Sequence, residues 1–255
     1  MFTDTQIREV FHFSFLDRLL KISDSHLYVL KGGVNLRFFF HSPRYSEDMD
    51  IDVLAGSVDT LRKNGYKILQ DAAFKRSLLT YGITDIEIND PVKAKQTKTT
   101  QRFRFGLITT ADQRLPTKVE FSRRMNHPGN YATEMVDTEI AREYRKTSFY
   151  CQHYPGHDAV IQKIHALAGR PHTQARDVFD LGLLQAGGYA NLIKSDVNLS
   201  KELRERASEA LMSLTFDDFK GQVVEFLDTE NRARYSSLRA WNQLQNAALE
   251  LLDYA

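Results

Sequence analysis

Cysteine is nearly absent. Cys151 is the only one in 255 residues, so no internal disulfide can form, which suits a reducing compartment. Long apolar runs are missing too. None approaches the roughly 20 residues a membrane-spanning helix needs, so no membrane partner is expected. Residues 1–10 show no basic segment leading into an apolar core; no secretory signal is expected, and the expected location is cytoplasmic. Nor is there an excess of either charge: 34 Lys+Arg meet 33 Asp+Glu, a net charge of +1, so global charge does not announce a nucleic-acid binder. No internal repeat or low-complexity linker divides the chain. What remains is an ordinary globular composition, 42% hydrophobic and 26% charged, long enough for one large domain or two small ones.

Hydrophobic periodicity changes character along the chain. Residues 5–21 place apolar side chains at helical spacing. Residues 27–30 read as a short strand, broken by Lys31-Gly32-Gly33, and 34–40 as a helix opened by those glycines. Residues 49–54 alternate apolar and acidic, as a half-exposed strand does. A helix over 58–73 and strands over 82–88, 102–108 and 118–122 follow. Beyond about residue 147 the pattern is helical: 157–170, 174–184, 199–214, 216–228 and 236–253. The expected fold class is α+β, a mixed sheet with flanking helices over 1–150 and an all-helical C-terminal domain over 151–255.

Local charge is more informative than global charge. In Ser46-Glu47-Asp48-Met49-Asp50-Ile51-Asp52 the three aspartates share one strand face and the apolar residues the other. Carboxylates stacked this way repel unless a cation intervenes, and hard divalent ions with oxygen ligands, Mg²⁺ or Mn²⁺, are natural partners. The bland alternative is a solvated edge strand. The glycine pair upstream sits at a strand-to-helix junction, where backbone N–H groups bind phosphate and glycine lets it approach closely. Gly32, Gly33 and Ser46 are therefore candidate triphosphate ligands, and Asp48 and Asp50 candidate metal ligands. A third carboxylate should come from a neighbouring strand. Glu120, between Val119 and Phe121, is preferred to Glu87. Lys93, Lys95, Lys98, Arg102 and Arg104 form a basic run with no acid between them, and Arg102 and Arg104 share a strand face opposite Phe103 and Phe105. That run is either a rim for a polyanion or a solvated face.

The segment Leu30-Lys31-Gly32-Gly33 through Arg37, followed by Arg44-Tyr45-Ser46-Glu47-Asp48-Met49-Asp50-Ile51-Asp52, resembles the AbiEii/AbiGii toxin family of nucleotidyltransferases, within the DNA-polymerase-β-like superfamily. A second block agrees: Lys163-Ile164-His165-Ala166-Leu167 with Arg170, then Arg176-Asp177-Val178-Phe179-Asp180-Leu181. The resemblance spans about residues 28–184. Met49 stands where the family usually has an aliphatic or aromatic residue. The resemblance implies a bacterial toxin with a cognate antitoxin, transferring a nucleotide from an NTP, in some relatives to tRNA 3′ ends. It implies Asp48, Asp50 and Glu120 as metal ligands and catalytic acids, with Lys31 in the phosphate-binding turn. Spacing alone has Lys163 snorkelling from the border of an apolar stripe; the resemblance assigns it to the triphosphate. Asp177 and Asp180, on a helix apolar nearly all round, should pair with Lys163, Arg170 or Arg176. Asp180 is the expected active-site neighbour.

Two other classes stay open. A small-molecule nucleotidyltransferase shares the acids and differs in the acceptor. A non-catalytic partner-binding protein would sit on the same fold with a degenerate site.

Overall fold

Helix α1 (Asp4–Ile22) begins where Thr3 and Gln6 cap each other reciprocally, and it is buried along much of its length through Val10, Phe11, Phe13, Phe15, Leu16 and Leu19. The computed structural model describes residues 2–88, 97, 99–123, 130–190 and 199–254. The chain forms two units, one of residues 1–39 and 45–154, the other of 40–44 and 155–255.

The first unit is built on strands β1 (Tyr28–Lys31), β2 (Asp48–Val53), β3 (Ile83–Ile88), β4 (Thr100–Thr109), β5 (Arg114–Ser122), β6 (Ala132–Met135) and β7 (Tyr150–His153). They form one mixed sheet in the order β3-β4-β5-β2-β1-β7-β6. The pairs β2–β5 and β1–β7 are parallel and the others antiparallel. Met49, Ile51, Val53, Phe103, Phe105, Val119 and Phe121 point to one face and share a single core with α1, α3 (Val58–Gln70) and α4 (Ala72–Leu78). The strands that carry the acids are thus at the centre of the sheet, gripped from one side by apolar packing.

Two departures from the sequence pattern have local causes. The helix expected over 58–73 splits, because Asp71 adopts an extended ψ of 117° and its carboxylate accepts the N–H groups of Ala73 and Phe74, capping α4. Strands β6 and β7, four residues each, and helix α5 (Thr138–Glu143) were not expected; they are too short to show a period.

The second unit is helical: α6 (Gly156–Gly169), α7 (Ala175–Ala186), α8 (Lys201–Met212), α9 (Phe216–Gln222), α10 (Thr229–Tyr235) and α11 (Leu238–Tyr254). The helix expected over 216–228 stops at Gln222, and α10 was not expected. Trp241 stacks on Phe219 at 4.8 Å, beside Phe179. Residues 40–44 join this unit, where Arg44 makes a backbone bridge to Leu227. No helix among the described residues is long and apolar enough to cross a membrane.

Candidate active site

The alternation of β2 turns Asp48, Asp50 and Asp52 away from the apolar core. Parallel pairing with β5 sets Asp50 beside Glu120 and Asp48 beside Lys118. Strands in such a pair lie about 4.8 Å apart, so Asp48, Asp50 and Glu120 occupy one small patch. Glu87 lies on the edge strand β3, ion-paired with Arg114 at 3.1 Å; the topology brings Glu120, not Glu87, to Asp50.

Three of the four acids on this face hold a cation. Lys118 Nζ donates to Asp48 Oδ2 at 2.7 Å, and Arg102 Nε donates to Glu120 Oε2 at 2.5 Å. Asp52 accepts from Lys31 and, at 2.7 Å, from the Tyr154 hydroxyl. Asp50 alone accepts no hydrogen bond and makes no ion pair among the described residues. Burial pushes its carboxyl above the ordinary range; Lys118 and Lys31 pull it down, and Glu120 and Asp48 push it up again. The pairs to Asp48 and Glu120 are partly solvated, and such pairs contribute about 0–1 kcal/mol each.

Gly32 lies directly against Asp50. It has φ of +71°, which an L side chain rarely adopts, and a Cβ there would sit 3.1 Å from Asp50 Oδ2. The turn therefore requires glycine, and any side chain there would crowd the carboxylate. Gly33 follows in the first turn of α2 (Gly32–Phe39), whose leading N–H groups have no partner within the helix. Ser46 precedes β2 and donates its hydroxyl to the Asp48 carbonyl at 2.8 Å. The approach to β2 is clamped a second time. Thr117 donates to the Glu47 carbonyl at 2.5 Å, which leaves its oxygen to accept from His12 Nε2–H at 3.0 Å. Burial lowers the His12 pKa to about 4, so the ring is neutral in this chain of bonds.

In the helical unit, Lys163 on α6 is buried. It donates to Asp177 at 3.0 Å and is ion-paired with Asp180 at 2.6 Å. Arg170 Nε lies 2.9 Å from Asp177, and Arg44 binds both oxygens of Asp180, at 3.0 and 3.1 Å. Burial alone would raise the Asp180 carboxyl; Arg44 and Lys163 outweigh it and hold it below its ordinary value. Both aspartates have no exposed surface.

A family model, nucleotidyl transferase AbiEii toxin of type IV toxin–antitoxin systems, matches residues 14–247. The chain belongs to the AbiEii family. It is thus an AbiEii-type nucleotidyltransferase toxin, a class that implies a cognate antitoxin and that generally uses an NTP and a divalent metal. None of the curated proteins compared with this AbiEii-type chain matches it. Among solved structures, MenT4, a nucleotidyltransferase toxin from Mycobacterium tuberculosis, is 15% identical with a TM-score of 0.56, over 99% of this chain and 85% of that one. A protein described as a candidate nucleotidyltransferase from H. pylori is 22% identical with a TM-score of 0.51, over 95% of this chain and 96% of that one. At these identities the likeness shows the fold, a mixed sheet with many helices.

Among the described residues, no three histidine, cysteine or carboxylate side chains are already gathered to hold a metal. Asp48 and Glu120 are turned to Lys118 and Arg102 instead. The donor chemistry nevertheless fits a hard divalent ion: all-oxygen ligands, one of them half-buried and unpaired. Arg102 is the partner of Glu120, and Arg104 is exposed. As expected, Lys163 pairs with both Asp177 and Asp180, and Arg170 with Asp177; Asp180 takes Arg44 in addition, and Arg176 makes no ion pair among the described residues. Arg44 and Lys118 were missed as members of these clusters. Lys118 could have been found, being two residues before Glu120 and therefore on its strand face. Lys93, Lys95 and Lys98 of the basic run lie outside the described residues.

Proposed function

We propose that this AbiEii-type chain transfers a nucleotide from an NTP to an RNA acceptor in the cytoplasm, with the tRNA 3′ end as the first acceptor to test. The observation that carries the proposal is the patch of Asp48, Asp50 and Glu120 on two central parallel strands, with Gly32 packed against Asp50. Asp48, Asp50 and Glu120 would hold Mg²⁺ or Mn²⁺, which supplies charge stabilisation to the attacking and leaving oxygens of an in-line displacement. Lys31, Gly32, Gly33 and Ser46 bind the triphosphate, chiefly through backbone N–H groups. The acceptor hydroxyl oxygen forms a bond to the α-phosphorus, the bond from that phosphorus to the bridging oxygen breaks, and pyrophosphate leaves. The hydroxyl proton passes to Glu120.

Lys163 is assigned to neutralising the triphosphate, with Asp180 positioning it. Two of its three N–H directions are taken by Asp177 and Asp180. Lys163→Met separates this role from a structural one: if the lysine only serves the ion network, transfer per folded molecule stays near wild type.

Incubating the purified protein with each labelled NTP, Mg²⁺ and total RNA tests the function. Label entering RNA, and absent with Asp48→Asn, is the expected result; label entering none of the RNA fractions refutes the acceptor. The engagement of Arg102 by Glu120 favours one second reading, a small-molecule acceptor, since it leaves the described part of the rim with fewer free cations. Transfer that is insensitive to salt would support it.

A further inference from the structure

On the acid face, each cation is held differently. Lys31 and Asp52 are locked together: Asp52 is buried and fixed from its other oxygen by Tyr154 at 2.7 Å. Lys118 has no second partner of this kind among the described residues. Its ammonium rests on Asp48 alone, in a pair about a quarter exposed on both sides. It projects from β5 two residues before Glu120, in register with Asp48 on the face that carries Asp50. A lysine here occupies one oxygen of a carboxylate that the metal needs, and it is held only by a partly solvated pair.

We propose that Lys118 is a transferable counter-ion: it neutralises Asp48 while the metal site is empty and passes to the triphosphate when a divalent ion takes Asp48. The proposal rests on the metal-site assignment above and adds a residue to it. Asp48 is then neutralised in both states. Without metal, one lysine offsets one aspartate. With metal bound at Asp48, Asp50 and Glu120, Lys118 stands beside a cation that repels it and needs a new anion, and the phosphates of the incoming NTP supply one. Lysine suits the exchange better than arginine, because it is a point charge on a flexible stem and makes no bidentate fork to hold it in place. Metal and nucleotide binding are coupled as a result: the nucleotide receives a cation only after the metal has displaced it.

Mn²⁺ binding to the whole protein without nucleotide, followed by calorimetry or paramagnetic relaxation, provides a readout apart from activity. Lys118→Met should bind Mn²⁺ about fivefold more tightly than wild type, the scale of one partly solvated ion pair, and Lys118→Gln should do the same. In the presence of Mn²⁺, both should bind an α,β-methylene triphosphate analogue, which cannot be transferred, more weakly than wild type, and Lys118→Arg should recover part of that affinity. Mn²⁺ affinity unchanged or weakened in both neutral variants overturns the proposal. Tighter Mn²⁺ with unaltered analogue affinity also overturns it, since the lysine would then only shield Asp48. Asp50→Asn separates this from failure of the metal site: Mn²⁺ binding that survives in that variant refutes the site assignment itself, and the counter-ion role with it.

Discussion

The two charge clusters are built on opposite principles. In the helical unit, every member of the Arg44–Asp180–Lys163–Asp177–Arg170 network with a carboxylate has two cations, and both aspartates are completely buried. On the sheet face the pairing is one to one, two of the pairs are partly solvated, and Asp50 has no partner among the described residues. A buried network in which each carboxylate has two cations resists change, because removing one partner strands a charge out of water. A half-paired face on a rigid sheet keeps an unmet demand for positive charge.

The largest expected effect tests the first half of that contrast. Asp180→Ala leaves Arg44 without its bidentate partner and should cost about 3–5 kcal/mol in denaturant unfolding, whereas Asp48→Ala should change stability by about 1 kcal/mol or less. Equal losses would erase the distinction between the clusters. Next, Asp50→Asn should lower transfer about 10³-fold, the several kcal/mol a lost metal ligand represents. The fold should be as stable as wild type or more so, because a repelled carboxylate has been removed.

The third prediction uses a buried group of the sheet unit that has no charge to balance. His12 has its pKa lowered by burial to about 4 against an unfolded value of 6.5. A base depressed in this way contributes stability that is full above pH 6.5 and is lost as pH falls, because the unfolded chain takes up the proton first. Between pH 6.5 and 5 this group should cost about 2 kcal/mol, a loss that His12→Gln should not show. Parallel pH dependence in the two proteins would mean that His12 is not the buried neutral link between α1 and Thr117. The smallest effect concerns the rim. Reversing the exposed Arg104 to Glu should lower the salt slope of RNA binding by about 0.7, the value of one single-strand phosphate contact, and leave NTP affinity nearly intact. An unchanged slope would remove Arg104 from acceptor binding.

The acid face was legible because a strand's period of two sorts Asp48, Asp50 and Asp52 from Met49, Ile51 and Val53 without reference to anything distant. The same rule sorted Arg102 and Arg104 from Phe103 and Phe105. What local pattern cannot supply is which strand lies beside which. The parallel register that sets Asp50 against Glu120 joins segments 70 residues apart and also gives Asp48 its lysine, while Arg102 reaches Glu120 through the register of β4 with β5. Arg44 was hidden for the same reason, since its partner Asp180 is 136 residues away. Strands β6 and β7 escaped because four residues are too few to reveal a period, and the break at Asp71 escaped because its capping role depends on backbone geometry.

Residues 40–44 have a consequence for how this molecule could be divided. They belong with the helical unit, yet the chain reaches them before it has laid down β2. A fragment cut cleanly at residue 155 would lack Arg44 and the bridge to Leu227, so it would begin folding with Asp180 short of one of its two cations. The helical part is therefore not a module that recombination could lift out in one piece. Any exchange that keeps it sound must carry a five-residue passenger from the other side of β2, which ties the inheritance of the two halves together.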